Sequence, residues 1–138
     1  MLFVCLGNSC RSQMAEGFAR TYGSDVMLPA SAGLAPASRI APDTIRAMLE
    51  KNIDVRDHFP KSIRHLSKAA EFDLIVNMSG FKLPQISVPI EEWKVRDPVG
   101  QSEEVFRETA NAIEHLVMRL ILELRTGKRP APVTGFGP

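Results

Sequence analysis

The opening stretch, "MLFVCLGNSCRSQMAEG", constrains this chain more than any other segment. Met1 to Cys5 is an apolar run that reads as a buried strand. Ser12 to Tyr22 carries Met14, Ala15, Phe18, Ala19 and Tyr22 at helical spacing, and Gly23 stops the pattern. Only the short stretch Leu6 to Arg11 joins the two. A strand that passes so directly into a helix is the first half of a βα unit, and it commits the chain to an α/β fold.

The rest of the sequence keeps that alternation. Asp25 to Ala32 is a second strand candidate. Pro42 to Lys51 reads as a helix with proline in its first turn and Ile45, Met48 and Leu49 on one face. Ile53 to Val55 is a brief extended piece, and Ser67 to Glu71 a short helix. Phe72 to Met78 is the strongest strand signal, bounded by Ser79 and Gly80. Ile90 to Val95 is a further strand. Gln101 to Arg125 is a long amphipathic helix, expected to turn Val105, Thr109, Ala112, Ile113, Leu116, Leu120 and Leu124 inward. This order favours a parallel sheet with helices on both faces, whose ligands bind at the carboxyl ends of the strands.

At 138 residues and 44% hydrophobic content, the chain is read as one core-forming unit. A net charge of +1 gives no global attraction to nucleic acid or anionic membrane. No apolar run reaches bilayer length, and the start lacks the basic region of a signal peptide, so a cytoplasmic location is expected. Cys5 and Cys10 are the only cysteines, too few for a disulfide framework. His58, His65 and His115 are scattered, so no metal site is expected. Two free thiols in one loop point to catalysis or redox chemistry.

The loop itself has the parts of an oxyanion site. A strand-to-helix turn can aim backbone N–H groups inward, and the helix start adds its positive dipole end. Gly7 and Asn8 tolerate left-handed backbone. Arg11 supplies a planar fork for two oxygens of a tetrahedral anion. Such a field favours the thiolate of Cys5, to which Ser12 can donate a hydrogen bond. A lone cysteine in an apolar run is more often simply buried. Here the neighbouring Gly7, Asn8, Arg11 and Ser12 stand where an anion loop needs them.

"FVCLGNSCRSQMAEG" closely resembles the loop of the low-molecular-weight protein tyrosine phosphatases, a family that includes the thioredoxin-coupled arsenate reductases. The resemblance spans roughly residues 1 to 125. It implies a four-stranded parallel sheet with helices on both faces and an oxyanion-binding loop after the first strand. The family-like domain would cover 1–126, with 127–138 a flexible Pro/Gly-rich tail. It implies that Cys5 attacks phosphorus to form a cysteinyl-phosphate. Arg11 and the loop Leu6, Gly7, Asn8, Ser9, Cys10 and Ser12 would bind the oxygens. Asp97, in "RDPVG", would be acid and then base. His58 would steady the loop through Asn8 and Ser12, with Ser31 also supporting, and Cys10 could form a reversible disulfide with Cys5. No cofactor or metal is implied.

The resemblance divides over the oxyanion. Ser9, Gln13 and Val99-Gly100 look like the reductase branch, because the phosphatases more often carry an apolar residue, a proline and aromatic residues there. Against this, the thioredoxin-coupled reductases relay electrons through two more cysteines after the third strand. Ser79 stands at the first of those positions, and no cysteine lies beyond Cys10. The leading expectation is therefore a cysteine-dependent phosphatase acting on phosphotyrosine or an aryl phosphate. The alternative is an arsenate reductase using an external thiol of the small-thiol and glutaredoxin type. A non-catalytic phosphopeptide-binding module is disfavoured, since nucleophile, arginine and candidate acid are all present. Expected partners are a phosphorylated protein or small oxyanion, plus a thiol reductant in the alternative. No nucleic acid or membrane partner is expected, and the protein is expected to be a monomer.

Overall fold

In the computed structural model, which describes residues 1–65, 71–84 and 87–128, strand β1 (Leu2–Cys5) runs through the middle of a four-stranded sheet. β2 (Ala30–Gly33) flanks it on one side. On the other side come β3 (Ile75–Asn77) and then β4 (Ile90–Glu92), in the order β2-β1-β3-β4. All pairings are parallel, with Cys5 opposite Gly33, Val4 opposite Asn77 and Asn77 opposite Glu92. The carboxyl ends of all four strands therefore lie along one edge, and the first loop emerges there.

Side chains alternate across β1, as a strand's period of two requires. Phe3 and Cys5 join Val76 in one buried cluster with Met14 and Phe18 of α1 (Arg11–Tyr22), Met48 of α2 (Pro42–Leu49) and Ile113 of α3 (Glu103–Thr126). Leu2 and Val4 join Ile75 and Ile90 on the opposite face, under Ile63, Leu83 and Val88. Helical structure thus covers both faces unequally: three α-helices on one, and among the described residues only the 3₁₀ turn Ile63–His65 on the other.

Helix α1 is buried continuously from Arg11 to Ala19, polar residues included. It carries no polar face towards solvent over that stretch because it is wedged between β1, β2 and α3. Helix α3 is an ordinary surface helix. Ser102 caps its start by accepting from Val105 N, Glu103 and Glu104 complement its dipole, and Gly127 ends it in the left-handed region.

The strands are shorter than the sequence suggests. Residues 24–26 form a turn, with Val26 N and Met27 N both donating to Gly23 O, so pairing begins only at Ala30 after Pro29. Ile53 to Val55 pairs with no strand, and Ile53 and Val55 are buried as core side chains instead. The inner face of α3 is rotated from the expected stripe. Phe106, Ala110, Val117 and Ile121 join Thr109, Ile113 and Leu120 inside, while Ala112 faces solvent and Val105, Leu116 and Leu124 sit at the border. The expected short helix at 67–71 falls mostly outside the described residues, as does the tail beyond Lys128.

Candidate active site

The sulfur of Cys5 ends β1 at 2.8 Å from the hydroxyl of Ser12, in the first turn of α1. That turn differs from the start of α3. No side chain caps it, no acidic residue lies in it, and its N-cap position is Cys10. A buried helix start without a cap leaves its amides and positive dipole end for an anion.

The loop's carbonyls are tied on its outside. Leu34 N, Ala35 N and Ala37 N donate to the carbonyls of Cys5, Leu6 and Gly7 at 3.1, 2.8 and 2.9 Å. Ser9 O accepts from Ala41 N and from Thr44 Oγ1. Carbonyls fixed outward leave a tight loop's N–H groups to converge inward as an anion nest. The packing that allows this is close: a Cβ on Gly33 would stand 2.8 Å from Leu6 O and 2.9 Å from Asn8 N, so β2 needs glycine at that point.

Asn8 takes φ of 50°, a conformation that an asparagine side chain tolerates when held by hydrogen bonds. It is held on both ends. Its Nδ2 donates to Ser12 Oγ at 2.7 Å, and its Oδ1 accepts from Lys61 N at 2.9 Å and from Gln13 Nε2 at 3.1 Å. Gln13, fully buried, is the hub of the second layer. Its Nε2 also reaches the carbonyls of Asn8 and Phe59, and its Oε1 lies 2.9 Å from His58 Nδ1. His58 therefore reaches Asn8 through Gln13 rather than directly. Ser31 donates to Glu16 Oε1 at 2.6 Å, and Glu16 in turn pairs with Arg20 and lies 3.8 Å from His58. Ser31 thus reaches the loop only by way of Glu16, His58 and Gln13, and Gly33, two residues on, makes the direct approach.

Arg11 is buried and stretched along the end of the sheet. Its Nη1 donates to the carbonyls of Met78 and Val95, and its Nη2 lies 3.4 Å from Asp97 Oδ2. Its Nε is buried without a partner among the described residues, a donor left over for an oxyanion. Cys5, Leu6, Gly7, Ser9, Cys10, Arg11 and Asp97 line one cavity of about 210 Å³, with Val99 and Ala35 at its walls. Asp97 remains partly exposed, and its Oδ1 accepts from Val99 N. Cys10 Sγ lies 3.6 Å from Ser9 Oγ, and burial pushes its thiol pKa up. The neutral form of Cys10 is therefore favoured.

The structure brings Leu6, Gly7, Ser9, Cys10 and Asp97 to one cavity with Cys5 and Arg11, while Asn8 and Ser12 lie buried behind it, linked to Cys5 through the Ser12 hydroxyl. Glu16 and Thr44 are additional, and Gln13, which the sequence offers only as a mark of the reductase branch, joins the loop's support. Gln13 and Glu16 carried a signal in retrospect: two polar residues on the face of a helix that shows no solvent-facing stripe. Ser79 is buried, its hydroxyl donating to Asn77 Oδ1 at 2.7 Å.

Comparison with known proteins agrees with this geometry. The sequence profile of the family described as "Low molecular weight phosphotyrosine protein phosphatase" matches residues 1–129. A protein of Synechocystis sp. named "Glutaredoxin arsenate reductase" is 38% identical over 90% of this chain and 97% of its own length. An "Arsenate reductase" of Shouchella clausii is 39% identical over 70% of this chain and 71% of its own. A solved structure titled "An arsenate reductase in the phosphate binding state" superposes with a TM-score of 0.79 at 35% identity, covering 89% of this chain and 96% of that one.

Proposed function

The chain belongs to the low molecular weight phosphotyrosine protein phosphatase family, and we propose that it is an arsenate reductase drawing its electrons from an external thiol. The observation that carries this reading is the pocket's thiol inventory. Cys5 faces an anion nest, Cys10 lies in the same wall, and the sequence holds no third cysteine. The likeness to relatives named arsenate reductase supports the substrate. The cysteine count supports the external reductant.

The chemistry uses each group once. The loop amides, the α1 dipole and Arg11 Nε bind arsenate oxygens. The Cys5 thiolate attacks arsenic, an As–O bond breaks, and the oxygen leaves as water with a proton that Asp97 is placed to deliver. An external thiolate then attacks Cys5 Sγ. The S–As bond breaks and its electron pair stays on arsenic, which departs as arsenite, reduced by two electrons. Cys5 is left in a mixed disulfide, and a second thiol releases it by exchange, which leaves the two external thiols oxidised to a disulfide.

The phosphatase reading stands second. Asp97 beside Arg11 at the cavity wall favours it, because an ester leaving group needs such an acid. Val99 in the cavity wall, where an aromatic ring would stack on an aryl phosphate, speaks for the small inorganic anion. The test follows arsenite production from arsenate with glutathione plus a glutaredoxin, with thioredoxin alone, and p-nitrophenyl phosphate hydrolysis in parallel. Arsenite formed with glutathione plus glutaredoxin but not with thioredoxin alone supports the proposal. Vigorous phosphate release with no arsenite in any mixture overturns it in favour of the hydrolase.

A further inference from the structure

A second cavity, of about 680 Å³, opens beside the first, and Arg11 lines both. It runs between the segment after β3 and the segment after β4. Its apolar walls are Met78, Trp93, Val95 and the half-exposed ring of Phe81. Its charged lining is cationic: Lys82, Lys94 and Arg96 against Glu92 alone. Glu92 is already engaged, accepting from Asn77 Nδ2 at 3.1 Å. Neither lysine ammonium has a hydrogen-bond or ion-pair partner among the described residues. Among the described residues Arg96 is held only to the neutral Gln101, at 3.2 Å.

We propose that this groove binds the external thiol as an anionic peptide thiol, its carboxylates on Lys82 and Lys94 and its sulfur beyond Arg11 towards Cys5. The proposal rests on the arsenate reductase reading and names the co-substrate class of that same site. Volume and lining select the ligand. A bare tetrahedral oxyanion leaves most of 680 Å³ empty and has no use for an apolar floor. An organic molecule with more than one carboxylate uses both floor and rim. A tripeptide extends to about 10 Å, so it can hold the rim and still present a thiol at the shared wall. The thiol's role is the one balanced above: it attacks Cys5 Sγ, arsenic keeps the S–As pair and leaves as arsenite, and the thiol becomes one half of the mixed disulfide.

Two measurements on the full chain test this. The first is calorimetric binding of S-methylglutathione, which keeps both carboxylates and cannot react. Wild-type protein is expected to bind it, and the double variant Lys82→Glu/Lys94→Glu to bind at least tenfold more weakly, since two ion pairs become repulsive. The second is the kcat/KM for glutathione divided by that for uncharged 2-mercaptoethanol in arsenate reduction, expected to fall about tenfold or more in the same variant. Circular dichroism checks that the variant folds, and the single variants Lys82→Gln and Lys94→Gln repeat the comparison if it does not. No binding to wild type, equal binding by wild type and variants, or an unchanged ratio overturns the groove. Binding that depends on the lysines, with no arsenite formed from any thiol, sustains the groove as an anionic-peptide site and overturns the reductase reading instead.

Discussion

Gln13 Nε2 stands 3.1 Å from Asn8 Oδ1, and the same amide's oxygen stands 2.9 Å from His58 Nδ1, so one buried side chain couples the loop to the segment around His58. Replacing it with leucine keeps the volume but leaves Asn8 with its Lys61 N and Ser12 partners only. Gln13→Leu is expected to cost about 1–3 kcal/mol of stability, read by urea denaturation, and to lower kcat more than it raises KM for the oxyanion. A stability change near zero would remove Gln13 from the loop's support.

Ser12 donates to or accepts from Cys5 Sγ at 2.8 Å while itself accepting from Asn8 Nδ2 at 2.7 Å. With Asn8 donating to it, the Ser12 hydroxyl proton is free to point at the sulfur. Ser12→Ala removes a hydrogen bond to a charged group, so turnover is expected to fall roughly 10- to 100-fold. Phosphate affinity, measured by calorimetry, is expected to change little. Wild-type turnover would contradict the role given to the hydroxyl.

Gly33 tests the packing behind the loop. Its added Cβ would meet backbone atoms of Leu6 and Asn8, which cannot swing aside as a side chain does. Gly33→Ala is expected to destabilise by about 1–3 kcal/mol, and to weaken anion binding because the loop must move. A variant as stable as wild type would mean that the loop can yield.

Much of this site was legible because its chemistry is local. Cys5, Asn8, Arg11 and Ser12 lie in one short stretch, and the turn that joins strand to helix leaves them few other places to be. Asp97 was visible only through resemblance, since an Asp before a proline is an ordinary turn residue. Its contact with Arg11 depends on β3 and β4 ending at the same edge as β1. The supporting roles of Gln13 and Thr44 escaped because their partners, the carbonyls of Phe59 and Ser9, are backbone atoms brought close by tertiary packing. The face of α3 was misplaced for a similar reason. Ala110 and Ala112 are equally small, and only the position of α1 against α3 decides which is covered.

Cys10 gives a prediction in pH. Burial disfavours its charged form, so its pKa rises and thiolate forms only above the ordinary thiol range near pH 8.5. In Cys5→Ser protein, where Cys10 is the only thiol, iodoacetamide labelling at pH 7.5 is expected to be much slower than for a free thiol, and to accelerate as pH is raised past that range. Rapid labelling at neutral pH would show an exposed or activated Cys10, and it would then compete with Cys5 as nucleophile.

The central claim is that an outside thiol attacks Cys5 Sγ, expels arsenite and takes its place on the sulfur. Intact-mass spectrometry of the protein, incubated with arsenate and one equivalent of glutathione and then quenched in acid, tests it most directly. A glutathione mixed disulfide on Cys5, formed in step with arsenite and absent when phosphate replaces arsenate, is the predicted result. Unmodified Cys5 and no arsenite, with phosphate released freely from an aryl ester by the same preparation, would contradict it and make the enzyme a hydrolase.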